Sequence, residues 1–196
     1  MSDWKGDYRS TYTCLGASNH SAEARAEHDY YATDPKAIDY LLEKATPNKK
    51  IWECACGAGH LSQRLTELGY EVKATDLIDR GIGGGTDFLQ SHEYWDGDIL
   101  TNPPYKYAQE FVEHALELIQ EGNKVYMFLK LTFLESQKRR ELFERKQLKT
   151  VYVSSKRINC ARNGDFISHP MAAAICYAWF EFEKGYNGKP TIEWIN

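Results

Sequence analysis

The 196 residues contain no apolar run approaching the ~20 needed to span a membrane. The opening Met1-Ser2-Asp3-Trp4-Lys5-Gly6-Asp7 lacks the apolar core of a secretory leader, so a cytoplasmic location is expected. Paired cysteines are missing as well. The five present (Cys14, Cys54, Cys56, Cys160, Cys176) are odd in number and irregular in spacing, which reads as reduced thiols rather than a disulfide framework. Cys54-Ala55-Cys56 is too tight for a zinc knuckle, no second pair follows it, and the six histidines show no ligand spacing. No metal site is expected. No Gly-Lys-Ser/Thr stands after a glycine-rich turn, which excludes a nucleotide phosphate loop. Repeats, low-complexity tracts and long linkers are also missing.

Hydrophobic residues make up 42% and charged residues 27%, ordinary values for a globular protein, and the length suits one domain with a full core. The net charge of −4, taken whole, weighs against a nucleic-acid partner, but its distribution does not. Between Ser136 and Asn163 nine basic residues, Lys138, Arg139, Arg140, Arg145, Lys146, Lys149, Lys156, Arg157 and Arg162, face only Glu141 and Glu144. That segment carries +7, which leaves −11 for the rest of a chain totalling −4. A basic stripe on an acidic body suits phosphate; a solvated helix face is the plainer reading of its helical part.

Residues 1–28 are polar and irregular and read as an arm over a domain spanning 29–196. Pro35 opens a helix over 36–44, and amphipathic spacing predicts further helices over 60–68, 107–120 and 135–145. Short apolar runs predict strands at 51–54, 70–75, 98–101, 124–131, 148–153 and 173–182, the last two as an antiparallel edge pair. Strands alternating with helices imply an α/β fold: a mostly parallel sheet with helices on both faces and ligands beyond the strands' carboxyl ends.

Three segments fall at such ends. Asn102-Pro103-Pro104-Tyr105 follows the strand 98–101. Its prolines lock the turn and push the preceding residues to extended geometry. The Asn102 side-chain oxygen and the Pro103 carbonyl can then accept from one NH₂ group, while Tyr105 stacks on the ring that carries it. Glu53-Cys54-Ala55-Cys56-Gly57-Ala58-Gly59 joins a strand to a helix. Its small residues admit close backbone approach, and its acidic start suits a cationic ligand such as S-adenosylmethionine rather than a diphosphate. Asp76 ends the next strand, where a carboxylate can accept both ribose hydroxyls or simply cap a helix. Asp87-Phe88 follows a glycine loop and could hold an adenine amine and pack on its ring.

Together these segments resemble the S-adenosylmethionine-dependent DNA adenine-N6 methyltransferases, especially small solitary ones of phages and prophages. Asp29-Tyr30-Tyr31-Ala32-Thr33-Asp34-Pro35 is similar to the segment lining the family's methionine pocket. Glu53 to Gly59 is similar to its cofactor loop, Asp76-Leu77 and Asp87-Phe88 to its ribose and adenine contacts, and Asn102 to Tyr105 to its catalytic motif. The order of these segments is the gamma-type arrangement.

The resemblance implies a Rossmann-like class I methyltransferase fold with a seven-stranded-type sheet. It assigns S-adenosylmethionine to Tyr31, Thr33, Pro35, Glu53, Cys54, Ala55, Gly57, Gly59, Asp76, Leu77, Asp87 and Phe88, and catalysis to Asn102, Pro103, Pro104 and Tyr105. It also implies a flipped adenine in duplex DNA and a role in protecting phage genomes from restriction. Two departures stand out: Cys54 replaces the usual proline, and no segment is long enough for a separate target-recognition domain.

Lys138, Arg139, Lys156, Arg157, Arg162 and Asn163 are the expected DNA donors, with Phe166 filling the gap of the flipped base or lying in the core. A monomer is expected. RNA adenine and protein glutamine also present a planar NH₂, and a binding protein that retains the shell without catalysis is the non-enzymatic alternative.

Overall fold

A computed structural model describes residues 31–158, 160–162 and 175–196. The proposed arm, Asn163 and Phe166 lie outside the described residues. The strands are β1 (Tyr31–Thr33), β2 (Lys50–Glu53), β3 (Glu71–Ala74), β4 (Asp98–Thr101), β5 (Lys124–Lys130), β6 (Leu148–Ser154), β7 (Cys160–Arg162), β8 (Tyr177–Glu183) and β9 (Thr191–Ile195). The α-helices are α1 (Lys36–Leu41), α2 (His60–Glu67), α3 (Ala108–Leu118) and α4 (Arg140–Glu144).

Seven strands form one mixed sheet in the order β3-β2-β4-β5-β8-β6-β9. The strands from β3 to β5 run parallel, and β8 lies antiparallel between β5 and β6. The expected antiparallel pair is therefore β6 with β8. The sheet extends one strand further, to β9 parallel to β6. Alternation failed to mark β9 because Ile192 and Trp194 are both exposed and only Ile195 is buried.

Successive residues of the central strands enter opposite cores, both apolar. Trp52, Ile99, Val125, Met127 and Leu129 join α3 and Leu142 of α4. Ile51, Leu100, Tyr126 and Phe128 join α1 and α2 on the other face. Trp179 anchors the second layer, donating from Nε1 to the Ala37 carbonyl of α1 at 2.9 Å.

The segment 135–145 is not one helix. Ser136 is extended (φ 177°), and its hydroxyl accepts from the Lys138 amide at 3.1 Å. This cap starts a single 3₁₀ turn, Gln137–Arg139, and only five α-helical residues follow. The two-stranded antiparallel sheet β1-β7 was not foreseen either. Its strands are three residues long and more than a hundred residues apart. Among the described residues no helix is long and apolar enough to cross a membrane.

Trp179→Phe shortens the buried ring system, leaving a void, and deprives the Ala37 carbonyl of its donor. Urea unfolding should report a loss of about 1–3 kcal/mol.

Candidate active site

After β2 the chain moves outward to β3, then returns across β2 to form β4 on the other side. Loops leaving β2 and β4 diverge there and open a cleft, as expected where strand order reverses. The cleft is lined by Ala32, Thr33, Glu53, Ala55, Cys56, His60, Leu61, Asp76, Leu77, Ile78, Arg80 and all four residues from Asn102 to Tyr105.

Its acidic wall comes from β2 and β3. Glu53 is 2% exposed and accepts from the Ser62 hydroxyl of α2. Burial pushes its carboxyl up to about 8; hydrogen bonds from Ser62 oppose this, and the charge of Asp76 adds to it. Asp76 accepts from the Gly57 amide at 2.8 Å on one oxygen, and from the Ile78 amide (2.9 Å) and Arg80 Nη1 (3.2 Å) on the other.

Two glycines make this geometry possible. Gly59 precedes α2 at φ 80°, a left-handed conformation that a side chain would strain. A Cβ on Gly83 would lie 2.3 Å from the Ala74 carbonyl oxygen, so the loop 81–85 can lie flat on the end of β3 only without one. The Gly83 carbonyl there accepts from the Asp76 amide at 2.8 Å.

The opposite wall is the turn after β4. Asn102 Nδ2 donates to Thr33 Oγ1 at 2.8 Å, and Thr33 is 3% exposed. With its NH₂ committed to Thr33, the amide is oriented by β1. Tyr105 opens the single turn Tyr105–Tyr107, and its hydroxyl donates to Cys160 Sγ at 4.0 Å. Burial raises that phenol well above its ordinary value. Thr33 and Cys160 are partners in the β1-β7 register, so one strand pair braces both ends of the four-residue motif.

Of the sequence-predicted cofactor residues, Thr33, Glu53, Ala55, Asp76 and Leu77 line the cleft with the motif. Others stand behind it. Pro35 precedes α1, and Cys54 is buried in the core beneath the loop. Gly57 acts through its amide on Asp76. Tyr31 contributes its backbone to β1. Asp87 accepts from the Leu89 amide at 3.0 Å, capping the turn Phe88–Gln90.

The expected ring-packing surface at Phe88 is corrected. Phe88 is 2% exposed, and its ring centroid lies 5.3 Å from that of Trp52 and 5.1 Å from that of Phe111. It is a core side chain, because an aromatic at that step of the loop completes the layer under β2.

His60, Ile78, Arg80 and the nearby Lys130 were missed, and Cys56 lines the cleft from within the expected cofactor loop without having been singled out there. The one usable signal was Arg80, four residues beyond Asp76 on a tight loop.

The basic stripe is partly self-neutralised. Arg139 donates to the Phe133 carbonyl (2.8 Å) and the Glu135 carbonyl (2.7 Å) and covers the Phe133 ring. Arg140 pairs with Glu144 at 2.6 Å, and Arg145 with Glu141 at 3.3 Å and Glu113 at 3.5 Å. Lys138, Lys156 and Arg157 are exposed. Arg162 is described through its place in β7 alone.

The mixed sheet, its cleft at the reversal point and the helices on both faces are those of the class I S-adenosylmethionine-dependent methyltransferase fold. No protein-family model matches the sequence, and no curated protein matches it. Similar solved structures share the fold at low identity. A Listeria monocytogenes protein described as a putative class I S-adenosylmethionine-dependent methyltransferase is 11% identical with a TM-score of 0.51. That match covers 82% of this chain but only 62%, less than two thirds, of the Listeria protein. Burkholderia thailandensis 1,6-didemethyltoxoflavin-N1-methyltransferase, solved with 1,6-didemethyltoxoflavin and S-adenosylhomocysteine bound, is 12% identical over 76% of each chain, TM-score 0.51. A protein solved in work on converting a disulfide bond into a thioacetal group during echinomycin biosynthesis is 13% identical, TM-score 0.54, over 91% of this chain and 92% of that one.

Glu53 has a direct stability signature. Between about 4.5 and 8 the unfolded chain sheds this proton while the folded chain keeps it, so stability falls as pH rises across that window. Comparing urea midpoints at pH 5 and pH 8, the wild type should lose more than Glu53→Gln. Equal losses would mean that Glu53 is ionised in the folded protein.

Proposed function

We propose that this protein transfers a methyl group from S-adenosylmethionine to the exocyclic N6 amine of adenine in DNA. The observation that carries the reading is the placement of Asn102-Pro103-Pro104-Tyr105 across the cleft from Glu53 and Asp76, with Thr33 orienting the Asn102 amide.

The cleft fits the donor in its chemistry. Asp76 and a buried Glu53 that would shed its proton beside a positive charge favour a cation, and an Asp76 carboxylate would accept from ribose hydroxyls. Thr33, Glu53, Ala55, Asp76 and Leu77 would hold the donor, with Gly57 fixing Asp76. Bound there, it supplies a methyl group on a sulfonium that departs as a neutral thioether.

The chain's own residues then act on the acceptor. A base swung out of the duplex enters the cleft. Asn102 Oδ1 and the Pro103 carbonyl accept from its N6–H groups and draw the nitrogen lone pair out of conjugation. Tyr105 stacks on the ring, a contact worth roughly 1–3 kcal/mol. The nitrogen held there would take the donor's methyl group, and its surplus proton would pass to water. Positioning supplies much of the rate, and no covalent nucleophile is required. The +7 segment supports a polyanionic substrate over a protein, and the choice of DNA over RNA rests on the resemblance of the motifs to the DNA adenine-N6 family.

A tritiated methyl-transfer assay on DNA, RNA and protein in parallel tests this. Label in DNA adenine is the expected result; label in RNA or in glutamine overturns the substrate, and no label in any arm overturns the activity. Within the site the two walls should separate. Asn102→Ala should lower methyl transfer at least about 10²-fold, the scale of losing one acceptor or donor at a reacting centre, with S-adenosylhomocysteine affinity nearly unchanged. Asp76→Ala should weaken that affinity first, as isothermal titration would report.

A further inference from the structure

On one wall of the cleft Asp76 is paired with Arg80 beside a buried, protonated Glu53, and a cation that the sequence does not flag stands behind the cleft lining on the Tyr105 side. Lys130 is the last residue of β5, the strand beside β4, so both strands deliver their carboxyl ends to the same edge. Its Nζ lies over the Tyr105 ring, 4.8 Å from the centroid.

Its setting differs from that of the lysine at the other end of the strand. Lys124 stands 3.9 Å from Glu181, a buried carboxylate that also lies 3.9 Å from Lys149. Lys130 is half-buried and, among the described residues, makes no ion pair. Holding an ammonium half out of water against a ring face costs desolvation, and the ring quadrupole offsets only part of it. An anion that arrives with the substrate would offset the rest.

Resting on the reading of the site as one for a nucleic-acid base, we propose that Lys130 contacts a backbone phosphodiester of the nucleotide whose base is held by Asn102 and Tyr105. A base leaving the duplex carries its flanking phosphates towards the cleft. The ring contact keeps the ammonium in place before they arrive, and a compact point charge suits a phosphate oxygen whose approach angle varies. The anionic acceptor strand then meets a positive charge at Lys130. A glutamine side chain would bring no anion to this position. Lys130 thus favours phosphate-linked acceptors without reading sequence.

The test is the salt dependence of methyl transfer by the full-length protein to plasmid DNA free of adenine methylation. Wild type, Lys130→Met (which keeps the stem) and Lys130→Arg are compared. Lys130→Met should lower kcat/KM about tenfold at low salt. It should also make the slope of log kcat/KM against log salt shallower by about 0.9, the value for one lost phosphate contact on duplex DNA. Lys130→Arg should restore most of that slope, and S-adenosylhomocysteine affinity should stay the same in all three. Equal slopes for wild type and Lys130→Met overturn the proposal. Loss of S-adenosylhomocysteine binding in Lys130→Met also overturns it, by making the residue a structural support. A wild type that methylates no nucleic acid instead overturns the reading of the acceptor, a result distinct from either.

Discussion

Parallel hydrogen bonding between β2 and β4 pairs Ile51 with Asp98 and Trp52 with Ile99, and the site depends on that register. It sends the ends of the two strands to one edge, so Glu53 and Asn102 meet although nearly fifty residues separate them. A slip of one residue would exchange the faces of Trp52 and Ile51, and with them the two cores. Asp98 locks the register from below. It is 2% exposed, accepts from the Asn48 amide at 2.7 Å and the Lys124 amide at 2.8 Å, and so ties the start of β4 to both flanks. Burial raises its carboxyl, against the pull of those two amides.

The acidic wall stores an unfavourable arrangement that a cationic ligand would relieve. Glu53 is desolvated and near the charge of Asp76, so its proton is retained well above the usual carboxylate range. Arg80 compensates on the Asp76 side, from a loop pressed on the end of β3. Side chains that line the cleft thus also bear on stability, and the site holds its shape through backbone amides on Asp76 rather than through apolar packing.

The opposite wall is rigid for another reason. Two prolines fix the turn, and the β1-β7 pair holds its ends: Thr33 on Asn102, Cys160 on Tyr105. Segments far apart in the chain thus converge on four residues. The region expected to touch DNA is divided in its behaviour. Arg139, Arg140 and Arg145 satisfy nearby carbonyls and carboxylates, while Lys138, Lys156 and Arg157 reach the surface.

Local chemistry was legible in the chain because it depends on near neighbours. Short apolar runs marked β2, β4, β5, β6 and β8, amphipathic spacing marked α2, and the proline pair marked a fixed turn after β4. The cleft's own acids, Glu53 and Asp76, were found because each ends a strand. What needed the tertiary structure was every contact between distant segments: Thr33 with Asn102, Cys160 with Tyr105, Lys130 over the Tyr105 ring, and β9 beside β6. Phe88 shows the reason. Its sequence setting allows a ligand-facing ring, and only the positions of Trp52 and Phe111 decide that it is buried. Propensity and periodicity are summed over a few residues along the chain, whereas burial and hydrogen-bond partners are fixed by which strands lie side by side.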